Sequence, residues 1–480
     1  MSSLCSRARR NCPGYQVNKD RKFINYLGEA DFDLLHQKSG DLLRQTADPT
    51  HRDTLYWPNI EKDALTAFFN DYCIVSSNRD LSRGFLHGLQ TMICQAGPQS
   101  ELSQACTIIA LTNLGRKLEN DLRIKRAKGL YSLLLRSFRL SISDSAQFTT
   151  LESLITAALL GLYEVITSTD TYPGAHVGHA RGVSAILLSK FSPFELLCRG
   201  KLFQVPSPIL LDDLEPENTP FSSLPSCSTI PNITQESFSI MCTPFFKQSG
   251  SSLDVIYGET EPLVRKAISL LRGEATLDQI IHLKLEAECL REAYKAWPET
   301  TPQEWRPRTV GAIASKNDGV TLLARNTYVA SIWNSYRKAC LLVLDIILSC
   351  HRRVNNCSEI VQSEGLIHKE ITQCTEGIVS SIPYLLAANL HSFIENATAG
   401  SPALVPGRPV GGLLSMQAFY ILSTLPTAEP ELKTYMRDCL AWIGTRMGIG
   451  QATILSKCTT IDEFHYATEA RVIIWAGMLI

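Results

Sequence analysis

The chain has almost no net charge and no long apolar run. Its 480 residues hold 46 Lys and Arg against 47 Asp and Glu, a formal net charge of -1. A protein that grips nucleic acid along its whole surface needs a basic excess, so that class is excluded. The best apolar run, Ala339 to Cys350, is interrupted by Asp345. It falls short of the roughly 18 uninterrupted apolar residues of a membrane span. The N-terminus is basic and leads into polar sequence, which does not fit a secretory signal. Period-2 alternation is missing, so no strand series is expected, and no fixed-period repeat is found. Gly-x-Ser-x-Gly, Gly-x4-Gly-Lys and His-Glu-x2-His are absent too, and with them the commonest hydrolase, nucleotide and zinc-protease signatures. The pair Gly448-Ile-Gly450 follows a helical pattern without a strand before it, so it is no dinucleotide loop. Cysteine is present, 15 residues, but scattered, without the spacing of a disulfide framework. Cys94, Cys106, Cys340 and Cys439 fall in apolar helical patterns, where free Cys behaves as a small hydrophobe. A reducing compartment, cytosol or nucleus, is expected. The sequons at Asn232, Asn356 and Asn396 then have no significance.

What is present is helix. The composition, 45% hydrophobic and 19% charged, supports a large buried core, in one helical domain or two packed ones. Thr149 and Glu152 have capping-box spacing. Behind them Leu151, Leu154, Ile155, Ala158, Leu159, Leu162, Val165 and Ile166 recur with helical period. Further helices are expected from Thr276 to Trp297, ended by Pro298, and from Val320 to Arg353. Another should start at Pro430-Glu431, with Leu432, Tyr435, Met436, Cys439, Leu440, Ile443 and Met447 on its apolar face. Gly448 would supply its left-handed C-terminal cap. The predicted fold is all-α, a helical bundle or array of helical hairpins.

Three boundaries divide the chain. Residues 1–22 carry Arg7, Arg9, Arg10, Lys19, Arg21 and Lys22 against one acid, Asp20. Residues 23–203 and 253–480 are two helical halves. Between them residues 204–252 hold seven prolines with many Ser and Thr, and proline breaks helices. This stretch is expected to be a long loop.

Two cysteines flank three arginines in Cys5-Ser-Arg-Ala-Arg-Arg-Asn-Cys12-Pro-Gly-Tyr15. Thiolates are soft zinc ligands, and nearby Arg favours the thiolate form. Read alone, the segment is also compatible with a basic tail bearing two ordinary cysteines. Arg7, Arg9 and Arg10 are candidates for contact with DNA phosphates or for nuclear import.

Cys-x6-Cys-Pro-Gly-Tyr resembles the last two ligands of the six-cysteine binuclear zinc cluster of fungal transcription factors. Other segments resemble the regulatory domain of that family, in order along nearly the whole chain. They are Leu159-Leu-Gly-Leu-Tyr-Glu164, followed by His176, His179, Arg181-Gly182 and Ala185-Ile-Leu-Leu188; Pro302-Gln-Glu-Trp-Arg-Pro307; and Ile332-Trp-Asn-Ser-Tyr-Arg337. Gly411-Gly-Leu-Leu414, Trp442 to Gln451 and Ile474 to Ile480 complete the set. The resemblance implies a nuclear transcription regulator of RNA polymerase II genes, not an enzyme, with zinc as the cofactor of the full-length family. Cys5 and Cys12 would be the fifth and sixth ligands. The first four cysteines and the base-reading loop between them are not in the sequence. Two thiolates do not fold a two-zinc unit, because structural zinc supplies the folding energy of such domains. As written, the chain is expected to hold no zinc, either through truncation of the gene model or through loss of direct DNA reading. The partners implied are DNA once the cluster is restored, the transcription machinery or other regulators, and a second copy of the chain; no membrane is expected. The alternative is a helical scaffold or corepressor without DNA binding of its own.

Two further patterns invite chemistry. His176-x2-His179 could be read as a metal pair, but no third ligand lies nearby and the pair follows Pro173-Gly174 at a helix start. Packing is the simpler role. Asp212-Asp213-Leu-Glu215 has the acidity of a magnesium motif of helical terpene cyclases. It sits in the proline-rich stretch without a second acidic motif, so an all-helical enzyme is the weakest reading.

Overall fold

A computed structural model of the chain describes residues 63–76, 82, 84–143, 150–171, 174–187, 253–307, 327–354, 359–399, 404–459 and 464–479. Among these, the regular elements are helices. The extended pairings are two isolated bridges, Ile74 with Phe85 and Ala387 with Pro406. The fold is all-α, as the missing alternation predicts. Cys5, Arg7, Arg9, Arg10, Cys12, the acidic residues Asp212, Asp213 and Glu215, and the whole of 204–252 lie outside the described residues.

After a helix over residues 63–72 come α1 (Leu89–Ala96), α2 (Glu101–Lys117) and α3 (Asp121–Ser141). Helices α2 and α3 form a hairpin joined by three residues and pack along each other. Each starts on a polar cap that satisfies an otherwise orphaned N–H. Ser100 Oγ accepts from Ser103 N, and Asn120 Oδ1 accepts from Arg123 N. Helix α2 lies on α4 (Leu151–Thr167), which packs in turn on α5 (His176–Leu187). From Ser153 to Ile166 every α4 residue except Glu164 is buried.

The second group is α6 (Leu253–Arg272), α7 (Leu277–Thr300), α8 (Thr327–Val354) and α9 (Glu359–Val379), each packed on the next. Two short helices follow, α10 (Ile382–Leu386) and α11 (Leu390–Thr398). They lead to α12 (Pro409–Thr424), α13 (Pro430–Trp442), a π-turn at Ile443–Met447, α14 (Gly450–Leu455) and α15 (Phe464–Ala476). Helix α12 is buried at every residue and contacts α8, α10, α13 and α15. A helix apolar all round is a core helix. Gly411 lets α10 cross it, since a Cβ there would stand 1.8 Å from the Leu385 carbonyl oxygen. Helix α15 packs on α4, α5 and α12, so the last helix binds the two groups together.

Several boundaries differ from those read in the sequence. The cap of α4 is Thr150, not Thr149: its hydroxyl accepts from Ser153 N at 3.1 Å. Two adjacent threonines offer the same oxygen, and Thr150, in extended backbone just before Leu151, supplies it. Pro298 does not end α7, which runs to Thr300. Thr300 Oγ1 donates to the Trp297 carbonyl, and Thr301 Oγ1 to that of Pro298, which satisfies the last turn. The start of α7 is as expected, with Thr276 and Gln279 forming a reciprocal capping box. The described part of α8 begins at Thr327, and its expected start at Val320 lies outside the described residues. On α13, Met436, Cys439 and Leu440 are buried while Tyr435 is 46% exposed. Gly448 has φ 81° and takes the left-handed conformation expected of it. Cys94 is exposed, unlike Cys106, Cys340 and Cys439.

Candidate functional site

The segments that resemble the regulatory domain meet one another in the interior. Trp333 Nε1 donates to the Trp305 carbonyl at 2.7 Å, joining the Pro302–Pro307 segment to α8. The Trp297 ring stands edge-on to Trp333, centroids 5.1 Å apart. Helix α12, which carries Gly411 to Leu414, packs on the π-turn. The Arg116 guanidinium donates to the carbonyls of Ile166 and Gly448, tying α2 to the end of α4 and to the π-turn cap. These residues act as joints between distant segments. Buried polar groups need partners, and here the partners come from elsewhere in the chain.

Two polar centres stand out, the first half-buried and the second buried. The first lies between α3, α4 and α5. Tyr131 Oη donates to Glu164 Oε1 at 2.5 Å and lies 3.0 Å from His179 Nε2. A phenol has one proton. Once it is given to Glu164, the Tyr131 oxygen accepts from His179 Nε2–H, which fixes the tautomer. Burial pushes the His179 pKa down to about 4, helped by neighbouring His176. Burial also raises Glu164, against the lowering effect of the Tyr131 hydrogen bond. His176, fully buried, faces the Gln451 side-chain amide at 3.4 Å. The two histidines at i and i+3 therefore find separate protein partners. Among the described residues, no group of three or more His, Cys, Asp or Glu is placed to hold a metal.

The second centre lies where α6, α8, α12 and α15 meet, and charge dominates it. Arg337, Lys338 and Arg471 are 7%, 5% and 3% exposed. The buried carboxylate among them is Glu261, which pairs with Arg471 and, at 2.8 Å, with Arg265 one turn along α6. Arg471 also lies over the Trp475 ring. Lys338 Nζ donates to Gln417 Oε1 at 3.0 Å and stands 5.0 Å above the Tyr257 ring. Arg337 Nη1 donates to Asn334 Oδ1, and its guanidinium lies over Trp333. Burial depresses both Arg337 and Arg471 to about 10, the expected response of a cation in a low-dielectric site.

The sequence reading found His176, His179 and Glu164 through their motif but missed Tyr131, Glu261, Lys338, Gln417 and Arg471. A signal existed. Lys338 sits between Ile332 and Leu342, and Arg471 between Ala470 and Val472. A long cation at a core-facing helical position is unusual.

No protein-family model matches the chain, and no solved structure does. The transcription factor dbaG of Emericella nidulans is 32% identical over 434 residues, covering 88% of this chain and 97% of that protein. Identity of that level over nearly the full length of both proteins carries the whole helical body, so the chain belongs to the family of this fungal transcription factor.

Proposed function

We propose that the chain regulates transcription of RNA polymerase II genes in the nucleus, and that its helical body is the regulatory part. The observation that carries this reading is the similarity to a named transcription factor across almost all of both chains. The packing supports the same division of labour. The matched segments are joints of a helical core. DNA reading is assigned to a binuclear zinc cluster of which Cys5 and Cys12 are the last two ligands, with Arg7, Arg9 and Arg10 as backbone contacts or an import signal. The residues in hand do not fit that group, because two thiolates cannot hold two zinc ions. Sequence is read by base-edge contacts from a rigid element in the groove. As written, the chain should therefore bind duplexes weakly, without preference, and with a steep loss in salt. Gel shifts at two salt concentrations with unrelated competitor duplexes test this. A version extended upstream by four cysteines should take up two zinc ions and gain selectivity. Selective binding by the present chain at physiological salt would refute the assignment. A failure of the extended chain to bind any duplex would favour a corepressor without its own DNA contact.

A further inference from the structure

The second polar centre surrounds a cavity of about 20 Å³. Its polar lining is Ser331, Asn334, Ser335 and Lys338 of α8, Gln417 of α12 and Arg471 of α15. The apolar part is Leu414, Ala418, Ile474, Trp475 and Met478. Ser335, half-buried, marks the side nearest solvent. The volume suits a group no larger than a carboxylate.

Charge is unbalanced around it. Two buried cations, Lys338 and Arg471, line it; the buried carboxylate Glu261 pairs with Arg471 and is shared with Arg265. Among the described residues no carboxylate stands within ion-pair distance of Lys338, whose three N–H donors meet one oxygen, Gln417 Oε1. Arg471 Nε, fully buried, has no hydrogen-bond partner among the described residues. A buried donor without an acceptor is costly, and a buried cation without an anion more so. Both groups line the same cavity. An anion there would meet an ammonium and a guanidinium edge at once, the strong charge-assisted arrangement. The walls decide which anion. Trp475, Ile474, Leu414 and Met478 offer apolar surface beside the cations, which suits a carboxylate borne on a carbon skeleton better than a fully hydrated inorganic ion.

We propose that the junction of α8, α12 and α15 binds an organic carboxylate of one or two carbons, its carboxylate between Lys338 and Arg471 and any methyl group against Trp475 and Met478. The site goes beyond the regulator reading. It is tested by binding to the purified chain, so its failure would leave that reading intact, and absence of DNA selectivity would leave the site intact.

The test is thermal unfolding of the full chain with sodium formate or sodium acetate, against sodium chloride at equal ionic strength. Formamide and acetamide serve as neutral isosteres, and sodium sulfate as an inorganic anion. A carboxylate at a hundredfold excess over its Kd should raise Tm by about 3 °C; the amides should not. Lys338→Met should melt at or above the parent without ligand, since it removes an unbalanced cation, and should lose the carboxylate shift. Gln417→Glu places a carboxylate beside Lys338 from within the chain. It should melt above the parent and also lose the shift. The proposal is overturned if neither carboxylate exceeds the chloride control, if the shift persists in both variants, or if sulfate or the amides act as strongly as the carboxylates.

Discussion

The two polar centres solve the same problem in opposite ways. Between α3, α4 and α5, Tyr131, Glu164 and His179 form a chain of hydrogen bonds in which burial depresses the imidazole to about 4 and raises the carboxyl. Each group there moves toward its neutral form. Between α6, α8, α12 and α15 the cations are arginines and a lysine, and an arginine does not deprotonate near neutral pH. Charge must then be met by charge, and Glu261 is the buried anion that meets it. The first centre relieves desolvation by titration, the second by pairing. The first is thereby made sensitive to pH and the second to anions.

The largest expected effect is on the second centre. Glu261→Gln removes that anion and leaves Arg471 and Arg265 facing an amide. Stranding a buried charge costs roughly 3–5 kcal/mol, which should appear as a lower urea midpoint with unchanged m-value. The double variant Glu261→Gln/Arg471→Met should recover much of the loss, because it removes the stranded charge as well. A loss below about 1 kcal/mol for the single variant would mean that water or another group reaches Arg471, and the contrast between centres would fail.

Next in size is the pH response of the first centre. The folded pKa of His179 is about 4, below the value near 6.5 of an unfolded chain. The unfolded state therefore binds the proton first. The stability contribution of the neutral ring is complete above about pH 6.5 and is lost as pH falls toward 4, about 3 kcal/mol in all. Burial lowers His351 too, which adds a loss of the same sign, while raised Glu164 acts in the opposite sense at acid pH. The difference between parent and His179→Gln isolates the one ring. Urea curves at pH 7, 6 and 5 should show a steeper decline for the parent. Parallel declines would mean that His179 is protonated in the folded state.

Much of the fold was legible because helices announce themselves. The apolar period of α4, the start of α7 at Thr276 and the left-handed Gly448 are all local signals, and all three appear in the structure. Where two local signals competed, the sequence could not choose, as with Thr149 against Thr150. Pro298 was read by its general habit of ending helices, whereas two threonine hydroxyls beyond it complete the last turn. The polar centres were legible only in part. His176 and His179 drew attention as a spaced pair, yet their partners Gln451 and Tyr131 come from segments 275 and 48 residues away. The second centre joins Glu261, Lys338, Gln417 and Arg471 from four helices, and tertiary packing alone brings them together. Periodicity shows which face of a helix is buried, not which cation on that face lacks an anion.

The smallest effect is also the sharpest test of the contrast. Glu164→Gln keeps the shape of the side chain and keeps an oxygen for the Tyr131 hydroxyl, now at 2.5 Å from Glu164 Oε1. It removes a charge that burial already disfavours, since desolvation raises the Glu164 pKa. The remaining cost is the exchange of a charged acceptor for a neutral one and the placement of one new amide donor. A net change of about 1 kcal/mol or less is expected at pH 7. No cation is stranded by it, because His179 is neutral there and still donates its Nε2–H to the Tyr131 oxygen. The chemically identical change at Glu261 should cost several times more, so the same substitution in one protein reads the two modes of compensation side by side. Equal losses at Glu164 and Glu261, measured in the same urea series, would mean that the first centre is held by ionic pairing after all.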